Sequence, residues 1–428
     1  MFALVPFKII DSLEAYLVLN KPITAPGSKL TIYLLAKNHG GVHSFKARFS
    51  LVHGEKRSPV SEVSITLGER ESKSIAIDFG APEKPGRYGL ELTIDEKKHD
   101  YIEFIVANPS SRKPFLFTIV WHNHQAPNCT PDSRIHSPWA YVYVWGAYLT
   151  PYGLGPYHYH AVLLNMYRDF KATYNLSPSL LYQWIKAIEH GVVFITGEQY
   201  DSESPEINKV KETLELYKEA LYRGQIDVLT SIYAHTIAGF LIDVLDAGDI
   251  VDEEIAFGKK ITAEAFGRKY DAKGLWTPEM AFSMGLVSIY AANGIEYTVL
   301  DDKFHYTGSV GEKKGIYIPY ITLNPATGDH IYVFFRDHYL SDLLGFRNNF
   351  ETEYHAWRNA YEFVLNIANK WFDHSVKTLV LALDGENWMV FSKNPPLTAF
   401  FLEKMVNYLV KMDKDHFIKI SHLGEMLE

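Results

Sequence analysis

Val376-Lys377-Thr378-Leu379-Val380-Leu381-Ala382-Leu383 runs without a break into Asp384-Gly385-Glu386-Asn387-Trp388. A short, nearly apolar run that stops at a turn glycine reads as a strand buried on both faces. Such a strand carries its polar end to a rim, here two carboxylates and an indole. A second junction, Gly274-Leu275-Trp276-Thr277-Pro278-Glu279, has the same design. Proline at 278 removes a backbone donor and stiffens the approach to Glu279. Two carboxylates, each at a strand end and each near a tryptophan, suit glycoside-bond chemistry. One acid protonates the leaving sugar oxygen while the other carboxylate attacks or stabilises the anomeric carbon. Tryptophan faces supply a flat apolar platform for sugar rings.

Around these junctions, amphipathic patterns predict helices over about 179–190, 205–223, 252–269, 350–371 and 397–412. Short β-rich runs fall at about 226–232, 273–277, 296–300, 316–320, 330–335, 376–383 and 417–420, and Phe115 to Trp121 opens the series as a buried strand. Strand–helix alternation implies parallel strands with helical crossovers, closed or partly closed into a barrel. Functional groups in such folds sit at the C-terminal strand ends. Residues 1–108 differ. Segments such as Lys29-Leu30-Thr31-Ile32-Tyr33-Leu34 and Tyr88-Gly89-Leu90-Glu91-Leu92-Thr93-Ile94 alternate with period two between Gly/Pro/Lys turns. Roughly seven such strands predict an immunoglobulin-like β-sandwich in an accessory role. Asn108-Pro109-Ser110-Ser111-Arg112-Lys113-Pro114 reads as a linker. The expected organisation is therefore a sandwich over 1–108, a linker over 109–114 and a barrel with C-terminal helices over 115–428.

Composition narrows the partners. At 428 residues the chain suits two domains, and 47% hydrophobic with 22% charged residues is that of a well-cored globular protein. A net charge of −9 disfavours nucleic acid and anionic membrane and suits a neutral substrate. Aromatics reach 14%, which fits either a large aromatic core or sugar-stacking subsites. The single cysteine, Cys129, rules out an intramolecular disulfide and a cysteine-based zinc cluster. The start, Met1-Phe2-Ala3-Leu4-Val5-Pro6-Phe7-Lys8, lacks the parts of a secretory signal, so a cytoplasmic protein is expected.

Three further rims complete the set. The first strand ends in Trp121-His122-Asn123-His124-Gln125-Ala126-Pro127, where His at i and i+2 point the same way and suit a metal or a polyol. Gly224-Gln225-Ile226-Asp227-Val228-Leu229-Thr230-Ser231-Ile232-Tyr233-Ala234-His235 is another strand with a polar end. Phe335-Arg336-Asp337-His338-Tyr339-Leu340-Ser341-Asp342-Leu343-Leu344-Gly345-Phe346 is a third, in which Arg336 and Asp337 read equally as a salt bridge. Order and context together resemble glycoside hydrolase family 57, specifically its α-amylase and amylopullulanase branch. That family carries His-Gln-Pro, Gly-x-Ile-(Glu/Asp)-Val…Ser-x-Tyr-x-His, Trp-x-Pro-Glu and Asp-Gly-Glu in this order. One departure is an alanine, Ala126, inserted before the proline of the first motif.

The resemblance implies a distorted (β/α)7 barrel with a C-terminal helical region, and retaining hydrolysis or transfer at α-glucosidic bonds without a cofactor or metal. By position, Glu279 would be the nucleophile and Asp384 the acid/base. His122, His124, Gln125, His235, Trp276 and Glu386 would line the sugar subsite, with Asp337 and Asp342 as further carry-overs. Trp388 is added as a stacking residue on its position alone. The implied substrate is an α-glucan or maltooligosaccharide cleaved at α-1,4 bonds, with α-1,6 bonds as a second class. A 4-α-glucanotransferase or branching enzyme is the alternative within the family. Outside it stand a metal-dependent deacetylase using His122 and His124, and a glucan-binding protein without catalysis.

Overall fold

The computed structural model describes residues 4–146 and 155–428. They form two compact units, one of residues 1–115, 349–374 and 397–419, the other of 116–348, 375–396 and 420–428. In chain order the strands are β1 (Leu13–Leu19), β2 (Ile23–Thr24), β3 (Lys29–Asn38), β4 (His43–His53), β5 (Lys56–Leu67), β6 (Ser72–Gly80), β7 (Gly86–Ile94) and β8 (Lys97–Val106). Then come β9 (Phe115–Asn123), β10 (Ala172–Leu176), β11 (Val192–Val193), β12 (Gln199–Tyr200), β13 (Ile226–Ser231), β14 (Gly274–Trp276), β15 (Tyr297–Asp301), β16 (Tyr320–Leu323), β17 (His330–Arg336) and β18 (Thr378–Asp384). The helices are α1 (Trp139–Trp145), α2 (Pro156–Met166), α3 (Pro178–His190), α4 (Pro205–Tyr222), α5 (Ala238–Asp243) and α6 (Gly248–Phe266). Five more follow: α7 (Leu286–Ala292), α8 (His338–Phe346), α9 (Glu353–Asn369), α10 (Asn387–Val390) and α11 (Pro395–Lys414).

In the first unit, β1-β3-β6 and β2-β8-β7-β4-β5 make two sheets. Alternation sets their faces: on β4, Phe45, Ala47 and Phe49 are buried while Ser44, Lys46 and Arg48 are exposed. Strand β1 is buried along its whole length, because β8 and α9 both pack on it. The helices predicted over 350–371 and 397–412 are present, yet they belong to this unit and not to the barrel's. Periodicity gives a helix its apolar stripe but not the surface the stripe meets. Here Tyr361 Oη donates to the Glu103 carbonyl at 2.7 Å and Tyr408 Oη to the Leu19 carbonyl at 2.9 Å.

The second unit is a closed barrel. Seven parallel strands follow one another as β10-β13-β14-β15-β17-β18-β9, and β9 pairs with β10 to complete the ring. Closure removes both sheet edges. Strand β10 was not expected from the sequence. The run expected at 316–320 starts only at Tyr320 and pairs antiparallel with β17, outside the ring. Ring register places Asp384 opposite His122, His122 opposite Asn175, Ser231 opposite Trp276, and Asp301 opposite Arg336. All of these are at C-terminal strand ends. No described helix is long and apolar enough to cross a membrane.

A buried ion pair pins α9 to the strands of its own unit. Arg358, 2% exposed, lies 3.5 Å from Asp100 Oδ2, donates to the Tyr101 carbonyl at 2.9 Å and pairs with Glu362. Arg358→Ala leaves the buried Asp100 carboxylate, whose Oδ2 also accepts from Leu17 N–H at 2.8 Å, without its guanidinium neighbour and is expected to cost about 3–5 kcal/mol. Urea unfolding would register that loss; a change below about 1 kcal/mol would show that Lys8, 3.6 Å away, suffices.

Candidate active site

The loop after β14 forms a strained turn. Glu279 has φ 52° and ψ 16°, and Met280 has φ 51°. Left-handed backbone at non-glycine residues costs of order 1–3 kcal/mol each and persists only when its surroundings over-determine it. Several bonds do so here. Met280 N–H donates to the Thr277 carbonyl and Ala281 N–H to that of Pro278, while the Thr277 hydroxyl meets Tyr290 Oη at 2.9 Å. The turn pushes the Glu279 carboxylate outward: its side chain is 68% exposed, 3.6 Å from His235 Nε2.

Behind it stand stacked rings. His122 lies parallel to Trp276 at 4.3 Å, and His124 to His235 at 3.7 Å. Burial, then their mutual repulsion, pushes His124 down to about 3 and His122 well below its usual range; burial alone lowers His235 to about 4. These imidazoles are neutral near pH 7. The proton on His122 can be assigned. Asn175 Nδ2 donates to the carbonyls of Leu229 and Thr230, which turns its Oδ1 toward His122 Nδ1 at 2.7 Å. Nδ1 therefore carries the hydrogen, and Nε2 is an acceptor.

Asp384 closes the opposite side. Burial first, then the charge of Glu279, pushes its carboxyl up to about 6, against an opposing pull from Arg336. Asn387 Nδ2 donates to Oδ2, leaving Oδ1 for the proton. Glu386 is pushed up to about 8, by burial first and then by Asp384. The charge that raises Asp384 comes from Glu279.

Of the expected residues, His122, Trp276, Glu279, Asp342 and Asp384 line one pocket of about 190 Å³, with Met280, Arg336, Phe346 and Leu383. His124 and His235 back His122, and Glu386 lies beside Asp384. Three further expected residues lie outside that lining. Trp388 is fully buried, its ring against His160 and Trp121, so it offers no face to a sugar. Asp337 caps α8 by accepting from Leu340 N–H and binds Tyr317 Oη. Gln125 donates to Tyr157 Oη. The loop with the extra Ala126 is tied to α3, whose Ser179 and Gln183 donate to the carbonyls of Gln125 and Ala126.

Asn175 and Tyr157 went unrecognised in the sequence, and Arg336, read there as a rim residue that could pair with Asp337, pairs with Asp301 instead. Arg336 Nε binds Asp301 Oδ2 at 2.7 Å and its Nη1 the Ala382 carbonyl at 2.9 Å. Asp301, Asp302 and His338 come within 4.8 Å of one another, close enough to share a cation. Asp301 Oδ2 is already taken by Arg336 and by His338 Nδ1 at 2.6 Å.

Fold and site define an α/β-barrel protein whose C-terminal rim gathers carboxyl groups, imidazoles and an indole around one pocket. Residues 118–428 match the model of glycosyl hydrolase family 57, and the chain belongs to that family. It is similar to an alpha-amylase of Pyrococcus horikoshii, 32% identical over 143 residues that make up 33% of this chain and 20% of that protein. A 4-alpha-glucanotransferase of Thermococcus litoralis is 32% identical over 136 residues, 31% of this chain and 19% of the relative. The matches thus span about a fifth of these curated relatives. Among solved structures, the 4-alpha-glucanotransferase of T. litoralis superposes with a TM-score of 0.52 at 21% identity, covering 74% of this chain and 40% of the other. The alpha-amylase AmyC of Thermotoga maritima does so with 0.52 at 15% identity, covering 73% and 74%. At these identities the superpositions establish the fold.

The elevated Asp384 value has a consequence for stability. A carboxyl at about 6 when folded and about 3.9 when unfolded binds more protons in the native state between those values. Its contribution is therefore present below about pH 4 and lost as pH rises through about 6. Asp384→Asn escapes the loss and is expected to gain roughly 2–3 kcal/mol over wild type at pH 8 relative to pH 4. Urea unfolding at the two pH values checks it, and an equal difference at both would refute a buried, uncompensated Asp384.

Proposed function

We propose that the chain is a retaining glycoside hydrolase cleaving α-1,4-glucosidic bonds of α-glucans and maltooligosaccharides by double displacement, with α-1,6 bonds as a second class. The observation that carries this reading is the contrast between two carboxyls of one pocket. Glu279 is exposed on a strained turn, while Asp384 is largely buried and holds a proton to about pH 6. Asp384 Oδ1 gives its proton to the glycosidic oxygen as Glu279 attacks the anomeric carbon, forming a glycosyl ester and releasing the leaving sugar. Esterification removes the Glu279 charge, so Asp384 loses the neighbour that held its proton and takes one from water in the second step. His122 Nε2 accepts from a sugar hydroxyl, and Trp276 supplies an apolar wall.

Glucan as the substrate rests on the relatives' names, alpha-amylase and 4-alpha-glucanotransferase. The second name supports the alternative reading, in which a sugar hydroxyl replaces water as acceptor on the same glycosyl ester. Against a metal-dependent deacetylase, the histidine rings stack face on face instead of converging their nitrogens on one point.

Chromatography of maltooligosaccharide and pullulan digests tests the proposal. Shorter malto-products from wild type, unchanged by a chelator, are expected; longer ones would move the reading to transfer. Glu279→Gln is expected to bind glucan without turning it over, and wild-type-like turnover would sink the nucleophile. Asp384→Asn is expected to lose roughly 10²–10⁴-fold on maltooligosaccharides and far less on activated aryl glycosides. Because the acid must be protonated, kcat/KM of wild type is expected to fall as pH rises above about 6.

A further inference from the structure

Among the described residues, Tyr157 Oη has three polar neighbours, and it carries one hydrogen. It lies 3.0 Å from the His124 carbonyl, 3.0 Å from Glu386 Oε2 and 3.2 Å from Gln125 Nε2. The residue has no exposed surface, so water does not change the count. A backbone carbonyl only accepts, so the phenol hydrogen goes to His124. The Gln125 amide donates into one phenol lone pair. The remaining contact needs a hydrogen from Glu386. Were Glu386 ionised, acceptor oxygens would face each other at one of the two 3.0 Å contacts, inside a buried site where an unmade bond is costly.

We infer that Tyr157 is a positioning residue that accepts the proton of Glu386 Oε2 and so holds Glu386 as a neutral acid beside Asp384. The groups that face this carboxyl are Asp384 from its own strand end, Tyr157 from α2 and, through the phenol, the His124 carbonyl and Gln125 amide from the end of β9. Burial and the Asp384 charge act in the same direction, pushing Glu386 up to about 8. The phenol would oppose them only by donating to the carboxylate, and its hydrogen is committed to His124.

The inference rests on the proposed retaining chemistry for its purpose, though not for its geometry. In that chemistry Asp384 must carry a proton when the first step begins, give it to the leaving sugar oxygen in that step, and be ionised to take one from water in the second. The change is driven by the loss of one charge, that of Glu279. A permanently ionised Glu386 two residues away would raise the proton affinity of Asp384 in both steps, hindering release in the first and reprotonating Asp384 before it can act as base in the second. Kept neutral, Glu386 offers Oε1 as an uncharged acceptor and leaves the switching to Glu279.

The test needs no turnover. In protein labelled with ¹³C at glutamate carboxyls, the resonance absent from Glu386→Gln is followed from pH 5 to 9. A midpoint near 8 supports the inference; one in the ordinary range near ~4.3 overturns it. In Tyr157→Phe the midpoint is expected to fall, because the neutral form loses its acceptor, whereas a rise would show that the phenol donates and would overturn it. The same variant is expected to move the alkaline limb of kcat/KM upward and to accumulate glycosyl-enzyme as a burst with an aryl glycoside. Should Tyr157→Phe fail to fold, the wild-type titration still decides. Glu386 titrating near 8 in a chain inactive on glucans would overturn the proposed function and leave this inference standing.

Discussion

Pairing of β9 with β18 on one side and β10 on the other closes the sheet, and the site follows from that closure. Backbone hydrogen bonds fix register, and a one-residue slip would turn every side chain of a strand to the other face. The correct register sets Asp384, His122 and Asn175 side by side on three consecutive strands. Asn175 then reaches the carbonyls of β13 and His122 together, so the tautomer of a site imidazole is decided by the strand next to it. Closure also explains the glycine of Asp-Gly-Glu. A Cβ at Gly385 would lie 1.6 Å from Asn123 Oδ1, because the chain leaving β18 crosses directly over the end of β9.

The electrostatics of the rim are those of restrained charge. Imidazoles so close together cannot all be cations in a buried site, and burial with mutual repulsion keeps them neutral. Neutrality suits the proposed chemistry, since an oxocarbenium-like transition state would be repelled by an imidazolium wall. Arg336 is the positive group that lines the pocket with the acids, and it is held at Asp301 and the Ala382 carbonyl. Its pull on Asp384 is weaker than burial and the charge of Glu279.

What the sequence discloses and withholds follows from this geometry. Strands such as Thr378–Asp384 are buried on both faces, so their apolar runs and polar ends are visible in one dimension. Ala172-Thr173-Tyr174-Asn175-Leu176 is just as buried, but Thr173 and Asn175 point to polar partners inside the barrel and break the apolar signature. The motif residues at strand ends therefore emerged, and the strand that orients one of them did not. Helix α2, with proline at its first position, was not expected from the sequence either, and nothing local to Tyr157 marks a partner more than two hundred residues away. Gln125, Asp337 and Trp388 show the converse limit. Adjacency to a motif carboxylate says how far a side chain is along the chain, not which side of the rim it takes.

Trp388 shows how such a residue still shapes the site. Had β18 continued, Asp384 and Glu386 would share one face, since side chains two apart in a strand point the same way. The chain instead stops at Asp384, and Glu386 takes helical dihedrals, φ −107° and ψ −32°, at the start of α10. Trp388 Nε1 donates to the Gly385 carbonyl at 2.7 Å, Asn387 Nδ2 to Asp384 Oδ2, and Asn348 Nδ2 to the Trp388 carbonyl. With the indole wedged against His160 and Trp121, the turn has little freedom to relax. One carboxyl is thereby left lining the pocket and the other is turned toward Tyr157. The difference in proton affinity between two acids separated by a single glycine arises from this chain reversal, with the tryptophan acting through the backbone it holds.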